Sequence, residues 1–402
     1  FLISVALDAA PVSGTSRPEA VRALWAFVYV ARERIPRLGS ARRKDTGMDK
    51  ILTRGGKPLA GTVQVRGAKN AALPLMAAAI LAESPCVLHN VPCLHDIFSM
   101  DKILSGMGME IDFTGRMMTM DPTKIAVPEA PYDLVCKMRA SFFVLGPLVG
   151  RFGKAKVSLP GGCAIGARPV DIHLKGLEAL GLSIRIEEGY VYAEGVLKGA
   201  EHTLDFPSVG ATENIMMAAT RAEGLTRLIN AAREPEIEDL AQFLNAMGAQ
   251  ISGAGTDMIT ILGVPSLSGA EHVVMPDRIE VGTFLAAGAA TCGDVTVSGA
   301  KAEHLPGFIE KLREAGAEVE VRGGSIRVAC KNPLSAVDVT TRPYPGFATD
   351  LQAQTMTMLT CAKGVSRIKE TVFENRFMQA AELIRMGATI DIDGNTAMVR
   401  GV

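Results

Sequence analysis

The chain has 402 residues, 48% of them hydrophobic and 21% charged, with a formal net charge of −1. That length suits about two to three domains, and the composition is that of a globular protein with a large core. The balanced charge excludes a global field that would draw in nucleic acid or an anionic membrane, so a negatively charged substrate must be met by a few placed Arg and Lys side chains.

Residues 1–47 differ from the rest of the chain. They hold the only tryptophan, Trp25, and end in a basic run containing Arg42, Arg43 and Lys44. The apolar stretch at 23–31 comes after Pro-rich sequence with acidic residues, whereas a secretory signal begins with its basic residues. We expect 1–47 to be an N-terminal extension outside the fold, with Met48 opening the folded protein; an organelle-type leader is the alternative. The longest apolar runs, such as 71–82, fall short of the roughly 18 residues that a membrane span requires. Seven cysteines are scattered at 86, 93, 136, 163, 292, 330 and 361, none at C-x-x-C spacing. This pattern argues for a reducing, cytoplasmic setting and against a zinc site or a disulfide framework.

Two kinds of helix then alternate along the chain. AALPLMAAAILA, RASFFVLGPLV, NIMMAATRA, TFLAAGAAT and QAQTMTMLTCA are apolar almost all round, and a helix without a polar face must be buried on all sides. DKILSGMGMEID, LKGLEALGLSIRI, LAQFLNAMGAQIS, FIEKLREAGAEVEV and AELIRMGATIDI are amphipathic and lead through apolar-Gly-apolar into short alternating strands. Their glycines, Gly108, Gly181, Gly248, Gly316 and Gly387, are separated by 73, 67, 68 and 71 residues. Each sits where a helix end calls for a left-handed residue. The chain is therefore an α/β protein of repeated units of about 70 residues. Sheets and amphipathic helices wrap around buried helices in closed domains rather than an open solenoid.

The chemistry-bearing stretches lie between these elements. RGAKNAALP (66–74) places Lys69 and Asn70 where a strand gives way to a buried helix, and free N–H groups with the helix dipole favour an anion there. A solvated lysine beside an asparagine cap is the plainer reading. KMRASFFVLGPL puts Arg139 at the entry of an apolar helix, where a cation opposes the dipole and so suggests an anionic partner or a neighbouring carboxylate. PGGCAIGARPVDIH (160–173) sets Cys163 among glycines and prolines on a loop. Arg168, five residues on, would lower the thiol's pKa. No His–Asp partner set is evident nearby, which disfavours a cysteine hydrolase. PSVGATEN (207–214) is a small turn into a buried helix whose backbone could cradle a phosphate or serve as an ordinary cap. PGFATDLQAQ reads as a capping box between Thr349 and Gln352, with Asp350 in the first helical turn. FENRFM adds Arg376 close to Glu374, a local salt-bridge candidate.

Taken together, GAKNAALP, APYDLVCKMRAS, VSLPGGCAIGARPVDIHLKGLE, SVGATEN, NAAREPEIED, MPDRIEVGTF, TDLQAQ and ETVFENRFM resemble the UDP-N-acetylglucosamine enolpyruvyl transferases, from Met48 to Val402. The resemblance implies two domains, each an inverted α/β barrel of repeated units. The first would span 69–275 and carry the Cys163 loop, and the second 48–68 plus 276–402. It implies transfer of the enolpyruvyl group of phosphoenolpyruvate to the 3′-hydroxyl of UDP-N-acetylglucosamine, with no metal, no cofactor and no nucleic acid or membrane partner. Cys163 would correspond to the catalytic thiol on a mobile lid, the residue that fosfomycin alkylates. Lys69, Arg139 and Arg168 would meet the phosphoenolpyruvate anion, and Asp350 would be the base for the sugar hydroxyl. Lys69, Asn70, Arg168, Pro169, Val170, Asp171, His173, Ser208, Val209 and Gly210 would form the nucleotide-sugar site, with Val372 and Arg376 as further contacts. Phe206 stands where some relatives carry lysine, so one nucleotide contact is expected to be absent. The family has six repeats and five are legible here, so the natural protein is expected to continue past Val402. A shikimate-pathway enolpyruvyl transferase and an inactive sugar-nucleotide-binding paralogue are the rival readings.

Overall fold

The computed structural model describes residues 55–130, 139–159 and 170–402, and for 139–141 the backbone only. Cys163, Arg168, Pro169 and the N-terminal extension lie outside the described residues. Ten α-helices occur among them: α1 (Lys69–Ala78), α2 (His95–Gly106), α3 (Leu145–Phe152), α4 (Asp171–Ala179), α5 (Val209–Ala219), α6 (Pro235–Ala246), α7 (Arg278–Ala290), α8 (Pro306–Glu314), α9 (Gln352–Leu359) and α10 (Met378–Arg385).

The helices divide as their sequences require. Helix α1 buries every residue from 71 to 78, and α5 every residue from 211 to 219. By contrast α2 buries only Ile97, Met100, Ile103 and Leu104, a stripe at helical spacing. Helices α8 and α10 do the same with Phe308, Ile309 and Leu312, and with Ala380 and Leu383. The inner helices are thus surrounded by protein, whereas the outer ones cover a sheet and face water.

Each outer helix ends as its glycine dictates. Gly108, Gly181, Gly248, Gly316 and Gly387 have φ between +95° and +107°. The N–H of Gly248 donates to Asn245 at 3.0 Å and that of Ala249 to Leu244 at 3.0 Å, and the other four ends repeat this double bond. The paired bonds satisfy two orphan carbonyls and reverse the chain into the next strand.

The described strands form five four-stranded sheets of one plan. In each, a first strand runs parallel to the second, and the second, third and fourth are antiparallel. Leu225–Ile229, for example, pairs parallel with Glu201–Thr203 and antiparallel with Met258–Leu262, which pairs with Gln250–Ser252.

Two apolar cores result. The first gathers α1 to α6 and runs from Ala68 to Met275; the second gathers α7 to α10 with Val65. The chain passes between them twice, and the passages are exchanged. Ala60–Gln64 precedes α1 yet pairs with Asp294–Ser298 in a sheet of the second core. Glu271–Val273 precedes α7 yet pairs with Cys86–His89 in a sheet of the first. Where the passages meet they bond to each other: Ala68 N donates to Met275 O and Asp277 N to Arg66 O, both at 2.8 Å. No helix among the described residues is long and apolar enough to cross a membrane.

Candidate active site

The crossing places the start of α1 beside residues of the second core. Asn70 donates from Nδ2 to Asp350 Oδ2 at 3.1 Å, although 280 positions separate them. Arg376 donates through Nη2 to the other oxygen of Asp350. Asn70 is therefore a cross-core donor rather than a helix cap; the position before α1 is Ala68, with no side-chain cap. Arg376 pairs with Asp350, and no ion pair joins it to Glu374 among the described residues.

The expected capping box at 349–352 is not formed. Thr349 and Leu351 belong to a 3₁₀ turn capped by no side chain. The Thr349 hydroxyl donates instead to Glu370 Oε2 at 2.8 Å, and Gln352 Oε1 accepts from Gln379 at 2.9 Å. Tertiary partners outcompete the local cap, and Asp350 keeps its place at the head of the turn. Glu370, unremarkable in the sequence, organises this corner. Its Oε1 accepts from Thr341 at 2.7 Å and from the backbone N–H of Val372 at 2.8 Å and of Phe373 at 3.2 Å. The turn that carries Val372 is thereby tied to the segment that carries Asp350.

Electrostatics then fix the state of Asp350. Burial alone would push its carboxyl up, but the Arg376 guanidinium, Arg278 and the Asn70 hydrogen bond together hold it below the usual 3.8. Its side chain is 34% exposed, so one face of an ionised carboxylate is open to a ligand. Arg376 Nη1 is buried without a hydrogen-bond partner among the described residues. Lys69 reaches the other way, with Nζ 3.2 Å from Asp96 Oδ2 at the start of α2.

A second group surrounds the start of α5. Ser208 is its N-cap, accepting from Ala211 N, while Val209 and Gly210 open the helix. A Cβ on Gly210 would come 3.2 Å from Phe143 and 3.3 Å from the His173 ring, so glycine lets this turn lie against that histidine without displacing either ring. Asn214 holds His173 from beneath. Its amide nitrogen lies 3.1 Å from His173 Nδ1 and donates to Phe142 O at 3.0 Å. With Nδ1 accepting, the ring proton sits on Nε2. Val170 and Asp171 lead α4 into the same region, with Asp171 in its first turn. The 3₁₀ turn Arg139–Val144, which Arg139 opens, packs against both α1 and α5.

Behind the site lies a buried charged cluster that sequence reasoning missed. Arg278, at the start of α7, donates through Nε to both oxygens of Glu236 on α6, at 2.9 and 3.2 Å. Both residues are buried. Nearby, Glu234 accepts from Tyr344 N at 3.4 Å. Glu213 on α5 is fully buried, and neither carboxylate oxygen has a partner among the described residues. Burial first, then the charges of Glu236 and Glu234, push its pKa well above the usual 4.5. A raised folded pKa contributes stability at low pH that is lost as pH rises. Glu213→Gln is therefore expected to unfold like the parent near pH 4 and to gain about 1–3 kcal/mol at pH 8, where the parent pays for a buried, unsatisfied acid. Equal denaturation midpoints at both pH values would show that Glu213 is solvated. Cys86 and Cys330 are likewise pushed up to about 11 by burial and cannot serve as thiolates at neutral pH. Among the described residues no three His, Cys, Asp or Glu side chains converge as metal ligands.

Residues 53–402 match the family model of EPSP synthase (3-phosphoshikimate 1-carboxyvinyltransferase). The chain belongs to this family. It is an enzyme family, and its members are transferases. The chain is 56% identical over 361 residues to a UDP-N-acetylglucosamine 1-carboxyvinyltransferase of Anaeromyxobacter sp. (strain K), covering 88% of this chain and 86% of that protein. It is 53% identical over 356 residues to one from Sorangium cellulosum, covering 88% and 84%. Among solved structures, the enolpyruvyl transferase NikO from Streptomyces tendae superposes with a TM-score of 0.78 at 25% identity, covering 86% of this chain and 83% of that one. The EPSP synthase of Acinetobacter baumannii gives 0.63 at 18% identity, with the same coverage, and shares the fold. The mixed α/β architecture expected from the sequence is thus the enolpyruvyl transferase fold.

Proposed function

We propose that the protein transfers the enolpyruvyl group of phosphoenolpyruvate to the 3′-hydroxyl of UDP-N-acetylglucosamine and releases phosphate, the first committed step of peptidoglycan synthesis. The observation that carries this reading is Asp350: an ionised carboxylate, open on one face and gripped by Asn70 from one core and Arg376 from the other. It is supported by relatives above 50% identity that bear the name of this activity.

The chemistry follows from the residue types. Asp350 takes the proton of the sugar 3′-hydroxyl as that oxygen bonds to C2 of phosphoenolpyruvate, while C3 gains a proton to become a methyl group. The tetrahedral intermediate then loses a proton from C3 and breaks its C2–O bond to phosphate, leaving the vinyl ether. Because its guanidinium partner weakens Asp350 as a base, proton removal is concerted with attack. Lys69, Arg139 and Arg168 neutralise the phosphate and carboxylate of the donor. Lys69 leaves Asp96 to do so. Asn70, Arg168 to Asp171, His173, and Ser208 to Gly210 hold the nucleotide sugar, and Val372 and Arg376 flank it. Cys163 acts as the acid or nucleophile toward phosphoenolpyruvate and is the residue that fosfomycin modifies. Residues 69–275 form one domain and 48–68 with 276–402 the other, with the reaction between them. The work is cytoplasmic and serves cell-wall growth, cell shape and division.

Product analysis tests the reading. Phosphate and an enolpyruvyl ether should form with UDP-N-acetylglucosamine and not with shikimate 3-phosphate. Turnover should be inhibited by fosfomycin and lost in Cys163→Ser. Turnover of shikimate 3-phosphate, or binding of the nucleotide sugar without phosphate release, would overturn it.

A further inference from the structure

The two passages between the cores are fastened by carboxylates that accept backbone N–H groups. Asp239 on α6 holds the returning passage, accepting from Met275 N at 3.4 Å and bonding His272 at 3.1 Å. Glu280 on α7 holds the outgoing one, accepting from Arg66 N at 2.7 Å. Asp277 lies between and serves both. Its Oδ1 accepts from Ile279 N at 2.8 Å and Glu280 N at 3.1 Å, capping α7. Its Oδ2 accepts from Lys69 N at 3.3 Å, at the start of α1. One carboxylate thus caps an inner helix of each core. A charged acceptor suits both positive helix ends and makes each bond stronger than a neutral one.

We infer that Asp277 is a positioning residue for the reaction proposed above, registering the start of α1, and with it Lys69 and Asn70, against the second core that carries Asp350 and Arg376. The Lys69 N–H is the first of α1, and Asn70 follows it directly. Loss of this bond frees the first turn of α1 to shift relative to α7, and the Asn70–Asp350 contact shifts with it. A misplacement of about 1 Å is enough to cost roughly 100-fold in rate.

Two substitutions separate positioning from capping. Asp277→Asn keeps an oxygen for Ile279 and Glu280 but turns an NH2 group toward the Lys69 N–H, so the α7 cap survives and the bond to α1 does not. Asp277→Ala removes both. Asp277→Asn is expected to unfold within a few °C of the parent, to lower kcat by 10-fold or more, and to change KM for either substrate less than 3-fold. Amide exchange in a peptide covering 66–75 should quicken at least 10-fold, while that in 211–219 stays as it was. Asp277→Ala should show the same exchange and a lower melting temperature. The exchange result does not depend on turnover: a parent protein inactive on both substrates removes the proposed function, whereas unchanged exchange in Asp277→Asn removes the role of Asp277. Unchanged kcat in an active protein, or a melting temperature as low as that of Asp277→Ala, would also overturn it.

Discussion

Asp350→Asn is expected to lower kcat by about 10²–10⁴-fold, the usual worth of a positioned general base. Asparagine keeps one oxygen for Arg376 or Asn70, so the turn at Thr349–Leu351 should survive and KM should move much less than kcat. Phosphate release under saturating substrates reads the first quantity, and chemical denaturation shows that the fold is intact. The sign of the pH dependence follows from the guanidinium neighbour. The carboxyl is held below 3.8 in the fold, so its contribution to stability is present above that value and is lost as pH falls through the lower folded pKa. Asp350 therefore stays ionised throughout the neutral range, and any acid limb in the rate near pH 5–6 must come from another group. A kcat within a few-fold of the parent for Asp350→Asn would remove this residue from the chemistry.

Arg278→Met is expected to destabilise the protein by about 3–5 kcal/mol, the cost of leaving one member of a buried ion pair without its partner. Glu236 would keep a buried charge, with the carboxyls of Glu234 and Glu213 close by. The attraction runs between helices of different cores, so its loss also removes a direct tie between α6 and α7. Adding Glu236→Gln should restore much of the loss, because the stranded charge is then gone. Denaturation of the parent, both single variants and the double variant forms a cycle, with an expected coupling of roughly 2 kcal/mol or more. A loss under 1 kcal/mol for Arg278→Met would show that the pair is solvated and structurally idle.

Much of the architecture was legible because it rests on local rules. A glycine at the end of an amphipathic helix has one conformational reason to be there, and all five adopt left-handed φ. A helix with no polar face has one place to go, and α1 and α5 are buried throughout. The exchange of Ala60–Gln64 and Glu271–Val273 between cores was not written in those short strands, whose side chains are mostly exposed. It is fixed by backbone pairing with Asp294–Ser298 and Cys86–His89, far along the chain in each case. The site divides in the same way. Lys69 and Asn70 were recognisable from their place at a helix start. The local signals at Asp350 and Arg376 pointed to a capping box and a bond to Glu374, whereas the structure joins the two residues to each other. Arg278, Glu236, Glu370 and Asp277 gave no local signal. Their partners lie on other segments, and a lone acid beside an apolar run reads the same whether it ends buried or in water.

The most direct test is a crystal structure of the protein with UDP-N-acetylglucosamine bound. The sugar 3′-oxygen is expected within about 2.6–3.2 Å of an Asp350 carboxylate oxygen, the heavy-atom reach of a general base, with the start of α1 and the start of α5 both touching the ligand. A nucleotide sugar bound elsewhere, with Asp350 still wholly engaged by Asn70 and Arg376 and more than one water from any sugar oxygen, would contradict it.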